Sequence, residues 1–416
     1  MNLAEELKAR GVGRESSAPL EKILETKRGI YLGMDPTADS LHVGHLVPLM
    51  LMKRLADAGH RAVFLVGGGT GMIGDPRDSG ERSLLDKRTL EHNKRALRAQ
   101  LQKILGRKIE MVDNASWLGK LGLLEFLRDT GKHFSVNDLV KRDLIKRRLE
   151  TPDESISFTE FSYALLQGFD FLTLYKKKGV SVQVGASDQW TNMLSGVDLI
   201  RRKQAEEAFC FTCPLVTDAN GKKFGKSEGN AVWLDGKKTS PFKFYQFWIG
   251  LPDEGLETYL KLYTFLPVSE IDALMEKHRG APQDREAQET LARLVTEIVH
   301  GPAATAQAAA ASDALFGGRP LSQLSREERA VLMGEAVTVT VSKADASKSY
   351  PIADALVAGN LASSKSEARR LIEGKGVSIN GKPVDSVDPT IRTADFDGGL
   401  AILRKGKRDM VVLVLK

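Results

Sequence analysis

The sequence predicts an α/β protein: a doubly wound parallel sheet, followed by an all-helical domain and a small α+β module. Three observations predict it. Short apolar runs at 29–34, 61–66 and 180–184 each open onto a turn and, at the first and third, a helical pattern, the strand–loop–helix grammar of a buried parallel sheet. An aromatic-rich helical stretch starts at Pro241 and runs to about Leu315 through the alanine-rich segment 303–314, which has high helix propensity. Phe316-Gly-Gly-Arg-Pro320 then punctuates the chain. Beyond it, Ser364 and Glu367 make a capping box and Asn380-Gly381 a hairpin turn, the marks of a separate module.

The run 29–34 leads into Asp35-Pro-Thr-Ala-Asp-Ser-Leu-His-Val-Gly-His45, read as a Pro-containing turn and a helix that Ser40 caps. Unpaired N–H groups at a helix start favour an anion. His42 and His45, three apart, share one face above that site, and Gly44 has no side chain, so a flat base can approach the backbone. Alone, the pair reads also as a metal pair or as part of an inert helix, although no third ligand is evident nearby.

With 416 residues, 42% of them hydrophobic, the chain can build two or three domains. The formal charge of +6 permits a nucleic-acid partner without identifying one. No apolar run approaches the roughly 20 residues of a membrane span, and the acidic start lacks the basic and apolar regions of a signal peptide. A cytoplasmic protein with no membrane contact is therefore expected. The two cysteines, Cys210 and Cys213, form one C-x-x-C, read as small apolar residues in or beside a strand; zinc would need a second pair or nearby histidines, and a redox motif would open a helix after a strand.

Residues 1–28 read as a helical lead-in, with Leu3, Leu7, Leu20 and Leu24 among charges. Gly67-Gly-Gly-Thr-Gly-Met-Ile-Gly-Asp-Pro76 fits G-x-G-x-x-G, but Asp75-Pro76 interrupts the helix that a dinucleotide site needs; the glycines read better as a tight turn against a small substrate whose ammonium Asp75 receives. The charged helix 90–105 is a solvated face, and the basic run Lys141-Arg-Asp-Leu-Ile-Lys-Arg-Arg148 reads as solvated surface or as an RNA or phosphate contact. On the helix after Ser157, Tyr163, Gln167 and Asp170 fall at i, i+4 and i+7, a polar stripe whose burial demands hydrogen-bond partners, within the protein or from a polar ligand. Strand 180–184 opens onto Gly185-Ala-Ser-Asp-Gln-Trp-Thr-Asn192, the kind of strand end where open parallel sheets bind ligands; Asp188 can accept from ribose and Gln189 can orient a carboxylate.

His42-Val-Gly-His45 resembles the His-Ile-Gly-His signature of class I aminoacyl-tRNA synthetases, residues 35–42 resemble their tyrosyl branch, and Lys223-Phe-Gly-Lys-Ser227 resembles the tyrosyl form of the Lys-Met-Ser-Lys-Ser loop. The resemblance spans nearly the whole chain. It implies a Rossmann-like catalytic domain at 1–235 with an inserted dimer-interface region at about 115–160, where Phe134 and Phe158 are dimer contacts. A helical anticodon-side domain at 236–318, a linker at 319–346 and a ribosomal-protein-like RNA-binding domain at 347–416 follow. The implied activity joins L-tyrosine to ATP as tyrosyl-adenylate, releasing pyrophosphate, and transfers tyrosine to the 3′ end of tRNA(Tyr). The implied protein is a homodimer, with Mg2+ on the triphosphate and no protein-bound metal.

By the same resemblance His42, His45, Lys223 and Lys226 stabilise the charge that develops on the phosphates. Tyr163, Gln167 and Asp75 take the substrate ammonium, Tyr31 and Asp170 bond its phenolic hydroxyl, and Gln189 meets its carboxylate. ATP contacts are expected from Gly33, Asp35, Thr37, Gly44, Gly185, Asp188 and Ser227. tRNA contacts are expected from Arg201 and Arg202, and from Lys365, Arg369 and Arg370 in the terminal module, where basic residues outnumber acidic ones only 11 to 8 over 349–416 and clustering matters more than sum. Ala186 and Thr191 depart from the family's Gly-Gly-Ser-Asp-Gln-Trp-Gly-Asn, and the loop Arg77–Arg82 is shorter and offers arginines where relatives often carry lysine. A tryptophanyl enzyme would share the fold and both signatures but not the Tyr31–Asp170 pair; a non-catalytic RNA-binding scaffold would not need the signatures.

Overall fold

Five parallel strands form the predicted sheet: β1 (Gly29–Met34), β2 (Arg61–Val66), β3 (Glu110–Asp113), β4 (Val180–Ala186) and β5 (Phe209–Cys213), in the order β3-β2-β1-β4-β5. The computed structural model describes residues 1–76, 85–106, 110–217, 224–227, 230–384, 386, 389–406 and 409–416, with Lys226, Ser227 and Asn230 described by backbone alone. β1 pairs with β2 on one side and β4 on the other, so the strand order reverses beside β1. That reversal opens a crevice at the carboxyl ends of β1 and β4, where an open α/β sheet takes its ligand.

The apolar runs form strands because both faces of the sheet are covered. Ile30, Val63, Phe64, Val66, Val180 and Val182 are all fully buried, each contributing roughly 1.5–3 kcal/mol of transfer free energy. Tyr31, Val63, Leu65, Phe171, Leu172 and Leu199 belong to one core cluster between sheet and helices. Along the outer edge of β5 the lead-in runs antiparallel: Ser17 N donates to Cys210 O at 2.9 Å and Thr212 N to Glu15 O at 3.0 Å. This pairs an edge that would otherwise be open.

Four helices carry the site: α1 (Leu46–Asp57), α2 (Lys87–Leu105), α3 (Phe158–Lys178) and α4 (Trp190–Gln204). α3 starts with a capping box, Glu160 N donating to Ser157 Oγ at 3.2 Å and Ser157 N to Glu160 Oε2 at 3.3 Å, and ends at Gly179, whose φ of 57° suits a residue without Cβ. Ser40 does not cap α1 as the sequence suggests. Its hydroxyl is spent elsewhere, donating to Leu41 O at 2.8 Å and accepting from Gln100 Nε2 at 2.9 Å and Asp235 N at 3.2 Å. A 3₁₀ turn over Val43–His45 leads into α1 instead.

The chain divides into two compact units, one of residues 1–239 and 251–291 and a second of 240–250 and 292–416. The helices Leu256–Tyr263 and Val268–Gly280, expected in a separate helical domain, thus belong with the sheet. Buried Arg10 explains much of this, donating to Lys261 O at 2.8 Å and Leu266 O at 2.5 Å. In the second unit, β6 (Thr338–Val341), α5 (Lys365–Glu373), β7 (Val377–Ile379), β8 (Lys382–Pro383), β9 (Leu400–Lys405) and β10 (Asp409–Leu415) build a sheet ordered β8-β7-β9-β10-β6 with α5 packed on it. The stretch expected as a linker supplies β6, parallel to β10, and a helix at Arg326–Glu335.

Candidate active site

Beyond β1 and β4 lies a pocket lined by Tyr31, Gly33, Asp35, Tyr163, Gln167, Asp170, Gly185 and Gln189, with Leu65, Thr70, Gln183 and Met193 among its other walls. The polar stripe of α3 therefore faces this pocket. Asp170 is buried; its Oδ2 accepts from Asn114 Nδ2 at 2.8 Å and its Oδ1 from Trp117 Nε1 at 2.7 Å. Burial nonetheless pushes its carboxyl up to about 7. Beside it the Tyr31 hydroxyl is buried with no partner among the described residues, and burial and the Asp170 charge hold its pKa well above that of a free phenol.

A second carboxylate, Asp35, accepts from Thr70 Oγ1 at 2.7 Å and from the Tyr163 hydroxyl at 2.8 Å. Asn114 joins the two acids, since its Nδ2 also donates to Thr70 Oγ1 at 2.9 Å while Gly69 N donates to its Oδ1 at 2.7 Å. The glycine run makes this possible. A Cβ at Gly67 would collide with the Asp35 carboxylate and the Thr70 hydroxyl, and one at Gly68 with Asp113. These glycines seat carboxylates and an amide rather than a dinucleotide.

Asp75 stands one hydrogen bond behind the pocket wall, its Oδ2 accepting from Gln189 Nε2 at 2.8 Å and its Oδ1 from Asn192 Nδ2 at 3.2 Å. Burial pushes its pKa up to about 6. Gly33, Asp35 and Gly185 line the pocket, whereas Thr37, exposed, and Gly44 and Asp188 lie outside its lining.

The two histidines of the first signature lie 3.9 Å apart between ring centroids, their planes tilted by 45°. His42 Nδ1 accepts from Gly44 N at 3.1 Å, and His45 Nδ1 from His42 N at 3.2 Å. An Nδ1 that accepts leaves the proton of a neutral imidazole on Nε2. Gly44 turns its bare face not to open space but to the His42 ring and the Phe224 carbonyl, 3.4 Å from where a Cβ would sit.

That carbonyl belongs to the second signature. Val43 N donates to Val232 O at 3.0 Å and Leu234 N to Leu41 O at 2.8 Å, so the backbone at 232–234 is tied to 41–43, and Val232 N donates in turn to Gly225 O at 3.1 Å. A Cβ at Gly225, φ 71°, would strike Val43. Lys226 and Ser227 form a two-residue strand paired with Asn230 and Ala231. Lys223, the side chains of Lys226 and Ser227, and the loop Arg77–Arg82 lie outside the described residues.

Phe134, half-buried, packs on Gly168 of α3, whereas Phe158 is 76% exposed, and Leu123, Leu124 and Val136 are exposed as well. Arg202 donates to the His133 carbonyl and Lys203 Nζ to Asp129 O at 2.7 Å, which gives them structural partners; Arg201 is exposed and pairs with Asp198 at 2.8 Å. On α5, Arg369 and Arg370 are exposed and Lys365 pairs with Asp354 at 2.6 Å. Cys210 and Cys213 are buried in β5, and burial pushes both thiols up to about 12. Among the described residues no cluster of three His, Cys, Asp or Glu could hold a metal ion, and no helix is long and apolar enough to cross a membrane.

Sequence reasoning missed Asn114, Trp117, Thr70 and Gln183. Gln183, with Oε1 buried and unpartnered among the described residues, had a legible signal: a polar residue in the middle of the apolar run 180–184. Asn114 and Trp117 follow β3, whose four residues are too short and polar to stand out.

Residues 24–317 match the family of class I tRNA synthetases (W and Y), and residues 333–413 match the tyrosine–tRNA ligase SYY-like C-terminal domain. The chain is 45% identical over 415 residues to a tyrosine–tRNA ligase of Leuconostoc citreum, covering 98% of each, and 42% identical over 430 residues to one of Bacteroides thetaiotaomicron, covering 100% of each. A crystal structure of a C-terminally truncated mitochondrial tyrosyl-tRNA synthetase of Aspergillus nidulans is similar at a TM-score of 0.69 and 33% identity, over 75% of this chain and 94% of that one.

Proposed function

The chain belongs to the tyrosine–tRNA ligases of the class I synthetase family, and from that premise we propose that the pocket beyond β1 and β4 holds L-tyrosine with its phenol between Tyr31 and Asp170. One observation carries the reading: a buried hydroxyl without a partner among the described residues stands beside a buried carboxylate in the same pocket. A phenolic hydroxyl donates to Asp170 and accepts from Tyr31, satisfying both. A phenylalanine ring would leave the Tyr31 hydroxyl without a partner and give Asp170 no donor beyond Asn114 and Trp117, and a tryptophan indole could donate but not accept.

At the other end, the ammonium is taken by Gln167, Tyr163 and the charge of Asp75, and Gln189 meets the carboxylate. A carboxylate oxygen of tyrosine attacks the α-phosphorus of ATP; the O–P bond forms as the bond to the β-phosphate breaks, and pyrophosphate leaves with the electron pair. His42 and His45, through Nε2–H, and Lys223 and Lys226, through their ammonium groups, stabilise the charge that gathers on the phosphates. Mg2+ enters with the triphosphate as part of the substrate. Gly33, Asp35 and Gly185 face the nucleotide end, with Thr37, Gly44, Asp188 and Ser227 at its outer side. The 3′-terminal ribose hydroxyl of tRNA(Tyr) then attacks the tyrosyl carbonyl and AMP departs. Every step is positioning and charge stabilisation, with no covalent enzyme intermediate.

tRNA is held by Arg201 and by Lys365, Arg369 and Arg370 on α5, with Arg202 steadying the segment beneath. The exposed apolar side chains Leu123, Leu124, Val136 and Phe158 supply the face on which two copies meet as a homodimer in the cytoplasm. Charging of tRNA with each of the radiolabelled amino acids tests the reading. Tyrosine alone should enter acid-precipitable RNA, with loss on His45→Ala; charging with any other amino acid in its place would overturn it.

A further inference from the structure

We propose that Arg142, on the segment between strands β3 and β4 and outside the pocket wall, is a positioning residue that fixes the direction of a hydrogen-bond relay ending on Asp75 and thereby keeps Asp75 ionised to receive the substrate ammonium. The proposal rests on the tyrosine reading of the pocket. Arg142 belongs to the basic run that reads from sequence as solvated surface or as an RNA or phosphate contact, yet its guanidinium is turned inward. Nη1 donates to Asn192 Oδ1 at 2.8 Å and Nη2 donates to Ser195 Oγ, both on α4.

A guanidinium has donors and no acceptor. It can therefore bond only the oxygen of the Asn192 amide, which forces Nδ2 to the opposite side. There Nδ2 donates to Asp75 Oδ1 at 3.2 Å and to Gln189 Oε1 at 3.4 Å. Engaging Oε1 in turn fixes the Gln189 amide, so that Nε2 points at Asp75 Oδ2, 2.8 Å away. Asp75 thus receives one N–H on each oxygen, and each oxygen keeps a lone pair for an ammonium. Without Arg142 only the ionised Asp75 itself favours this amide orientation, and a protonated Asp75 could donate to the oxygen of a flipped Asn192, so Arg142 removes the arrangement that would stabilise the neutral acid.

The charges around Asp75 make the orientation matter. Asp35 from the end of β1 and Asp188 from the turn before α4 repel its negative form, and burial disfavours it most; the Tyr163 hydroxyl of α3 faces the same group. Gln189 and Asn192 oppose these effects by hydrogen bonding, and the Asp75 charge favours the charged form of Arg142. Burial in turn lowers the Arg142 pKa to about 10, still leaving it charged at neutral pH.

The test is pyrophosphate exchange into ATP by the full chain, with L-tyrosine as substrate and its deamino analogue 3-(4-hydroxyphenyl)propionate as competitive inhibitor. Exchange by the unaltered chain is read first, and its absence would overturn the tyrosine reading and this inference with it. Given exchange, Arg142→Gln should raise KM for tyrosine about ten-fold while KM for ATP and the inhibition constant of the analogue change less than about two-fold. The acid limb of kcat/KM for tyrosine should move to higher pH by about one unit. Arg142→Lys, which restores a cation, should return that limb most of the way. Asn192→Ala, which cuts the relay and leaves Arg142 in place, should give the same amine-selective loss. Equal weakening of tyrosine and the analogue, or an acid limb that does not move in either variant, would overturn the inference and leave Arg142 a packing residue.

Discussion

Replacing Tyr31 with phenylalanine should make the free protein more stable and its tyrosine complex weaker. The hydroxyl is buried and unpartnered among the described residues, while its ring packs against Phe171 at 5.2 Å between centroids. Phenylalanine keeps the ring contact and removes only the uncompensated polar atom, whose desolvation costs about 1–3 kcal/mol. When tyrosine binds, its phenol gives that hydroxyl a partner, so the same free energy is recovered as affinity. Tyr31→Phe should therefore lower tyrosine affinity roughly 5- to 150-fold, the equivalent of about 1–3 kcal/mol, and raise the melting temperature of the ligand-free chain. Titration calorimetry and thermal unfolding of the two proteins measure both quantities. A variant that is less stable than wild type yet binds tyrosine equally well would refute the reasoning, because the hydroxyl would then have an internal partner.

Asp75 supplies a pH test whose sign is fixed. Burial raises its folded pKa from the ordinary 3.8 to about 6, so the native state binds the proton more tightly, and this group's contribution to stability declines as pH rises from about 4 to about 7. Relative to Asp75→Asn, wild type should lose at most about 3 kcal/mol over that interval, at ~1.4 kcal/mol per pH unit; urea unfolding at both ends measures it, and a difference that grows in favour of wild type contradicts the assignment. Gly67→Ala should destabilise the chain by roughly 1–3 kcal/mol and impair exchange, because its methyl would displace the Asp35 carboxylate and the Thr70 hydroxyl; unchanged melting and activity would count against that packing. Cys210 and Cys213, buried with thiols pushed up to about 12, should resist a disulfide thiol reagent at pH 8 until the protein is unfolded, and rapid reaction of the native chain would argue against their burial.

The sheet was legible because β1, β2 and β4 are buried runs of apolar residues bounded by turn signals. The pocket was legible wherever a polar residue interrupts a periodic apolar pattern, as Tyr163, Gln167 and Asp170 do. What escaped depends on through-space partners that no local pattern records. Ser40 looks like a cap, but Gln100 and Asp235, 60 and 195 residues away, claim its oxygen. Arg142 looks like one charge in a solvated run, and only the arrival of α4 from 50 residues on turns it inward. The stretch 338–341 looks like linker because its partner strand, β10, lies at the far end of the chain.

Every role proposed for the pocket depends on its far end being finished by a phenolic hydroxyl. Calorimetric titration of the ligand-free chain with L-tyrosine and with L-phenylalanine compares two ligands that differ by that one atom. The structure predicts saturable binding of tyrosine and at least a hundred-fold weaker binding of phenylalanine, a deficit of about 3 kcal/mol for leaving the Tyr31 hydroxyl unpartnered and Asp170 without the phenol's donor. Equal affinity for the two would show that the phenol does not reach Asp170 and Tyr31, and the pocket would have to be read another way.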